Sequence, residues 1–159
     1  MRITIAAVGR LKDDAERVLV DRYLKRFGAA KAIGFGPIGE YETPESRRPA
    51  ASERQAEEAQ RLLKSAGDAD LIVVLDERGK ALTSAAFAQW LGARRDDGRR
   101  HAAFLIGGAD GHGDAVRKAA HLTLSLGAMT LPHGLARAVL AEQVYRAATI
   151  LAGHPYHRA

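Results

Sequence analysis

The stretch LSLGAMTLPHGLARAVLAEQVYRAATILAGHPYHRA, residues 124–159, runs without a break from a strand end through a loop and a long helix to a polar tail. LSLG closes a short apolar run as a buried strand does, and GAMTLPHG is a loop by its Gly, Thr and Pro content. Beyond it Leu135, Val139, Val144 and Leu151 outline the apolar side of a helix of about five turns. The helix also carries Ala136, Ala138, Ala141, Ala147 and Ala148, small residues that favour helix formation and permit close approach of a second helix. It ends near Gly153. The remaining HPYHRA, residues 154–159, holds two of the six histidines, one of the four tyrosines and an arginine at a place where chains fray. The tail is either a decorated loose end or a segment that reaches into a site.

Working outward, RITIAAV, DLIVVLD, HAAFLIGG and LTLSLG are short apolar or β-branched runs bounded by Gly, Asp or charge, and read as buried strands. Between them DDAERVLVDRYLKRF places Val18, Tyr23 and Phe27 at helical spacing, ASERQAEEAQRLLKSAG ends at Gly67, and TSAAFAQWLGARR offers Thr83 or Ser84 as an N-cap. Alternating strands and helices predict an α/β fold with a mainly parallel sheet covered on both faces. Pattern alone points to an open, flavodoxin-like sheet. Residues 31–49, rich in Gly and Pro, are compatible with a strand followed by a long loop. No repeat, low-complexity tract or linker divides residues 1–159, which read as one domain.

The composition narrows the chemistry. There is no cysteine, so disulfides, thiolate metal sites and a cysteine nucleophile are excluded. The apolar run before Gly9 is too short for a signal sequence and no segment approaches a membrane span, which gives the expectation of a soluble, cytoplasmic protein. The net charge is +5. From residue 115 onward the basic residues Arg117, Lys118, Arg137, Arg146 and Arg158 face a single acid, Glu142, a weak pointer to phosphate.

FLIGGADGHG runs a strand into Gly107, Gly108, Gly111 and Gly113, followed by DAVRKAA as a short helix. Glycines at the C-terminal end of a strand let a ligand approach the backbone, and equally serve a tight turn needing positive φ. The motif is neither GxGxxG at the dinucleotide offsets nor a P-loop. On the last helix Glu142 and Arg146, four apart with the acid first, suit an ordinary stabilising pair. His133, His154 and His157 lack a third ligand beyond Glu142, so no metal is expected. No serine nucleophile elbow is present.

VVLDERGKALTS, FLIGGADG, LSLGAMTLPH and above all RAVLAEQVYRAATILAGHPYHR closely resemble the ribosomal RNA large subunit methyltransferase H family, whose members methylate N3 of a pseudouridine in 23S rRNA. The similarity runs from AVGRLKD to Arg158. It departs at Gly127, where the family more often has serine, and at Leu131, often aromatic.

The resemblance implies a SPOUT-type α/β fold, a mostly parallel sheet flanked by helices with a C-terminal trefoil knot, binding S-adenosylmethionine. It implies a cofactor pocket lined by Leu75, Gly107, Gly108, Leu126, Gly127, Ala128, Met129, Thr130 and Leu131. It also implies a homodimer in which the tail completes the partner's site, so that removing the tail should end methyl transfer while barely affecting stability. Methyl transfer needs alignment and loss of the N3 proton, and no metal. Arg137, Glu142, Tyr156, His157 and Arg158 are the candidates for positioning the substrate and removing that proton. His157 alone among them has an unperturbed pKa near neutrality and is the first choice of base, while Arg137 and Arg158 suit phosphates or a deprotonated ring. The expected substrate is 23S rRNA, within the large subunit or whole ribosome. The rivals are a non-catalytic ribosome-associated RNA-binding protein and a SPOUT methyltransferase acting on tRNA.

Overall fold

The computed structural model describes residues 1–12 and 14–157, the last of these by its backbone only. Five strands, β1 (Arg2–Val8), β2 (Ile38–Thr43), β3 (Leu71–Ala81), β4 (His101–Ile106) and β5 (Leu122–Ser125), form one parallel sheet in the order β2-β1-β4-β3-β5. A flavodoxin-like sheet places β3 beside β1. Here β4 lies between them, and that expectation is corrected. Burial explains which strands are central: β4 is buried at every position and β1 at all but Arg2, whereas β2 carries Glu40, Tyr41 and Glu42 and β5 is only four residues long. Continuous apolar strands need cover on both faces, and the polar and short ones take the edges.

The helices are α1 (Ala15–Phe27), α2 (Ala51–Ala66), α3 (Ser84–Asp96), α4 (Asp114–Ala119) and α5 (His133–Leu151). Ile3, Ile5, Val73 and Phe104 point to a core shared with α1, α3 and α5, and Ala6, Val8, Val74 and Leu105 to a second core under α2 and α4. Alternation along the strands thus feeds two layers. Thr83 is the N-cap of α3, its Oγ1 accepting from Ala86 N at 3.1 Å. Residues 31–49 contain the end of a 3-10 turn, edge strand β2 and the loop to α2, as the composition suggested.

Two helix faces differ from the pattern. Val18 is exposed, and α1 buries Val20 beside the expected Phe27. On α5 the buried side is Arg137, Ala138, Leu140, Ala141, Val144, Ala147 and Ala148, while Leu135 stands 40% exposed. The small residues bring α5 close to its own core rather than leaving a free stripe. None of the helices is long and apolar enough to cross a membrane among the described residues.

β3 is long and irregular. Leu75 and Lys80 both stand opposite Leu124, with a register shift between them, so residues 76–79 bow around β5. The C-terminal ends of β1, β3, β4 and β5 then open on one edge of the sheet, where ligands of open α/β sheets bind.

Candidate functional site

A cleft of about 870 Å³ lies along that edge. Its walls come from Leu75 and Asp76 at the bend of β3, the turn Gly107–Gly108 after β4, the loop 126–131 after β5, and Gly9 and Arg10 after β1. Of the residues assigned to a cofactor pocket, Leu75, Gly107, Gly108, Leu126, Gly127, Met129, Thr130 and Leu131 all line it, and Ala128 does not. The loop is shaped by Ser125, whose hydroxyl accepts from Gly127 N at 3.2 Å and reaches Gly127 O at 3.0 Å. Gly127 itself has φ +139, which a side chain would strain.

Close packing within the turn also requires glycine at the positions after β4. A Cβ on Gly108 would fall 2.7 Å from Glu58 Oε2 and 3.1 Å from Val8 Cγ1, and one on Gly107 3.1 Å from the Gly111 carbonyl carbon and 3.2 Å from His112 Cε1. The protein's own atoms take up the space that a side chain would need, on two turn residues that also line the cleft. Gly111, at φ +79, is the turn glycine. His112 braces this turn: its Nε2–H donates to Leu75 O at 2.9 Å, which joins β4's turn to the end of β3. The ring is buried, which lowers its pKa and keeps it neutral, and Nδ1 has no partner among the described residues.

Arg137 is not a surface phosphate contact. Its side chain is fully buried, and its guanidinium donates to Glu40, Glu42, Gly9 O at 2.9 Å and His133 Nε2 at 2.8 Å. Arg17 closes the same network against Glu40 and Glu42. Two acids two apart on β2 share one face, and a buried arginine from α5 answers them. His133, at the first turn of α5, faces the cleft from this network. Nothing but its place in LPHG marks it in the sequence; the GEYET alternation of acids was the legible signal for a buried cation.

The basic residues of the C-terminal third are largely spoken for. Arg146 chelates Glu142 through Nε at 2.8 Å and Nη2 at 2.6 Å, and Arg117 lies 3.7 Å from Asp114. Arg158 and the side chain of His157 fall outside the described residues. Tyr156 packs against its own chain, so the described part of the tail is not a loose end. Its ring stands edge-on to Tyr145 with centroids 4.8 Å apart, Arg146 sits 5.0 Å above it, and its hydroxyl donates to Glu142 Oε1 at 3.2 Å. Burial, Tyr23 and Glu142 together push the Tyr156 hydroxyl well above the ordinary tyrosine value, so it stays a donor. Glu142 and Tyr156 form a cluster that does not line the cleft.

The cleft suits an amphipathic ligand. Met129, 80% exposed, and Leu75, Ile106, Leu126 and Leu131 offer apolar surface, while Glu45, Asp76 and Glu77 place negative charge and Arg10 and Arg117 positive charge around it. A nucleoside with a cationic, zwitterionic tail fits that donor set. No three His, Asp or Glu side chains converge on one point among the described residues.

The family model "Predicted SPOUT methyltransferase" matches residues 1–157. The chain is 53% identical over 159 residues to "Ribosomal RNA large subunit methyltransferase H" of Brucella anthropi, covering 99% of both chains. It is 50% identical over 160 residues to the protein of the same name from Bradyrhizobium diazoefficiens, covering all of both. Among solved structures, a probable methylase family protein from Haemophilus influenzae Rd KW20 superposes with a TM-score of 0.52 at 13% identity, over 99% of this chain and 70% of that one, a likeness of fold alone. With a family match over nearly its whole length and half its residues shared with these relatives, the chain belongs to the SPOUT methyltransferases and, within them, to the ribosomal RNA large subunit methyltransferase H family.

Proposed function

We propose that the protein transfers a methyl group from S-adenosylmethionine to N3 of a pseudouridine in 23S rRNA, acting on assembled ribosomes in the cytoplasm as a homodimer. The observation that carries this reading is the cleft at the strand ends, built from the loops that the family resemblance assigns to the cofactor. Bound there, the cofactor supplies a methyl group on a sulfonium. Leu75, Leu126 and Leu131 exclude water from one side, and the acids Glu45, Asp76 and Glu77 favour a positively charged ligand.

Within one chain the site is incomplete: no described residue of 154–157 lines the cleft, and the Glu142–Arg146–Tyr156 cluster lies apart from it. The reading therefore has the partner's tail face the cleft, with Tyr156 as a hydrogen-bond donor, Glu142 orienting it, Arg158 on phosphate and His157 taking the N3 proton. Arg137 supports the site from within. The trefoil knot belongs to the same reading.

Labelled S-adenosylmethionine should transfer its methyl group to ribosomes lacking this modification, and not to bulk tRNA. Incorporation into tRNA alone would favour the tRNA alternative. Absence of cofactor binding in isothermal titration would leave only an RNA-binding role.

A further inference from the structure

Arg117, Arg137 and Arg146, which the sequence offered to phosphate, are each held by acids of their own chain. The exposed cations beside the cleft come from elsewhere. Among the described residues Arg10, Arg47, Arg48 and Arg78 have neither an ion pair nor a side-chain hydrogen bond, unlike Arg17, Arg54, Arg61 and Arg95. Arg10 and Arg78 line the cleft itself. β1 and β2 pair in parallel up to Val8 and Thr43, so the chain leaves both strands at one edge of the sheet and the loop 44–50 emerges beside Gly9 and Arg10. Gly9 N donates to Thr43 O at 2.8 Å and Leu11 N to Glu42 Oε1 at 2.8 Å, which ties the two exits together. Glu45 lines the cleft and also a small groove with Arg47, Arg48, Glu57 and Arg61, so cleft and groove are continuous.

The loop has no regular structure, yet α2 holds its backbone. Glu58 Oε1 accepts from Ser46 N at 2.8 Å, Arg61 Nη1 donates to Pro44 O at 2.8 Å, and Arg54 Nη1 donates to Arg48 O at 3.0 Å and to Pro49 O at 2.8 Å. Arg54 also grips Asp110 through Nε at 2.7 Å and Nη2 at 3.0 Å, which fixes the loop to the β4 turn of the cleft. Two arginines of α2 thus serve carbonyls of the loop, while the loop's own two arginines stand exposed. Glu57 is occupied by Arg61 at 2.9 Å and by the Ser46 hydroxyl. Adjacent like charges do not stabilise a fold; on a fixed backbone they suit a partner with closely spaced negative charge, and a guanidinium fork matches phosphate oxygens in particular.

We propose that the loop after β2 is the platform on which the RNA substrate docks: Arg47 and Arg48 hold backbone phosphates beside the target nucleotide, and Arg10 and Arg78 continue the contact along the cleft mouth. Such contacts position the RNA and carry no sequence information. Acids within the cleft and arginines beside it sort the two ligands by charge, the cationic methyl donor inward and the polyanion outward. The proposal rests on the methyltransferase reading for the identity of the RNA.

Filter binding of the full-length protein to protein-free 23S rRNA over a range of salt tests it with Arg47→Ala/Arg48→Ala. The control pair Lys25→Ala/Lys31→Ala removes the same charge from exposed positions at the opposite edge of the sheet, where α1 and the 3-10 turn lead into β2. The loop variant should bind about tenfold or more weakly, with a log-log salt slope shallower by about 1.4 to 1.8, at about 0.7 to 0.9 per phosphate contact, and the control should change by less than about threefold. S-adenosylmethionine affinity by isothermal titration should be unchanged in both, and Arg47→Lys/Arg48→Lys should recover most of the slope. Equal losses in the loop and control pairs overturn the proposal, since they show only general attraction to a basic protein. Unchanged rRNA affinity in the loop variant overturns it too; a raised KM for ribosomes alongside would assign the arginines to an acidic protein surface. Should the wild-type protein methylate no ribosomal RNA, the methyltransferase reading fails while the salt slopes still decide the platform.

Discussion

Gly79 of β3 lies directly against Leu124 of β5: a Cβ on Gly79 would fall 2.7 Å from the carbonyl carbon of Leu124 and 2.8 Å from its nitrogen. The obstacle is backbone on a paired strand, which cannot turn aside as a side chain does. Gly79→Ala should therefore cost about 3 kcal/mol or more, or prevent folding. Urea denaturation of purified variant beside Gly67→Ala as a control, which meets nothing within 4 Å but has φ +60, measures it. Equal losses at the two positions would contradict the close passage of β5 under β3.

At the β4 turn, Gly108→Ala should destabilise by about 1 to 3 kcal/mol, because Glu58 is buried and pinned through Oε1 to Ser46 N at 2.8 Å. Glu58→Ala removes the atom that blocks the new methyl group. In the Glu58→Ala background the cost of Gly108→Ala should shrink by about 1 kcal/mol, a coupling that a double-mutant cycle reads directly. Purely additive losses would show that the cofactor or the turn, and not Glu58, demands glycine there.

Acid should weaken the fold before the carboxylates titrate. The folded state holds His112 and His133 below their ordinary value of 6.5, mainly through burial, so the unfolded chain binds more protons in that window. Stability is then complete above about pH 7 and falls as the pH drops through 6.5 toward the lowered values. The urea midpoint should be lower at pH 5.5 than at 7.5, and the difference should be smaller in His112→Leu. An unchanged midpoint in the wild-type protein would mean that neither ring is held neutral.

Tyr156 buries an aromatic edge against Tyr145 and donates to Glu142, so deleting residues 154–159 should cost about 1 kcal/mol rather than nothing. Cofactor affinity should stay unchanged and methyl transfer should be lost. Mixing the tail-deleted chain with a full-length chain whose cleft is filled by Leu126→Trp should restore part of the activity in the mixed dimer. Verified mixed dimers without recovery would place tail and cleft of one chain at the same site.

The sequence by itself determined the alternation of strands and helices, an N-cap at Thr83 or Ser84, the two-faced cover of the sheet and, through whole-chain resemblance, the family. The same resemblance singled out eight of the residues that line the cleft, and of these the glycines after β4 stood out locally as well. What only the tertiary structure decided was whatever depends on a neighbour distant in the chain. Periodicity says which way a residue faces and nothing about the strand beside it, so the place of β4 between β1 and β3 was invisible. The charge of Arg137 suggested an anion in solution, and the anions proved to be Glu40 and Glu42, 97 and 95 residues away. The alanines of α5 were legible as a close-packing surface, but that the surface they meet is the chain's own core was settled by packing. Gly107 and Gly108 were legible as glycines that leave space, but the occupants, His112 and Glu58, were settled by packing, since the free volume beside a residue is a property of every chain segment that converges on it.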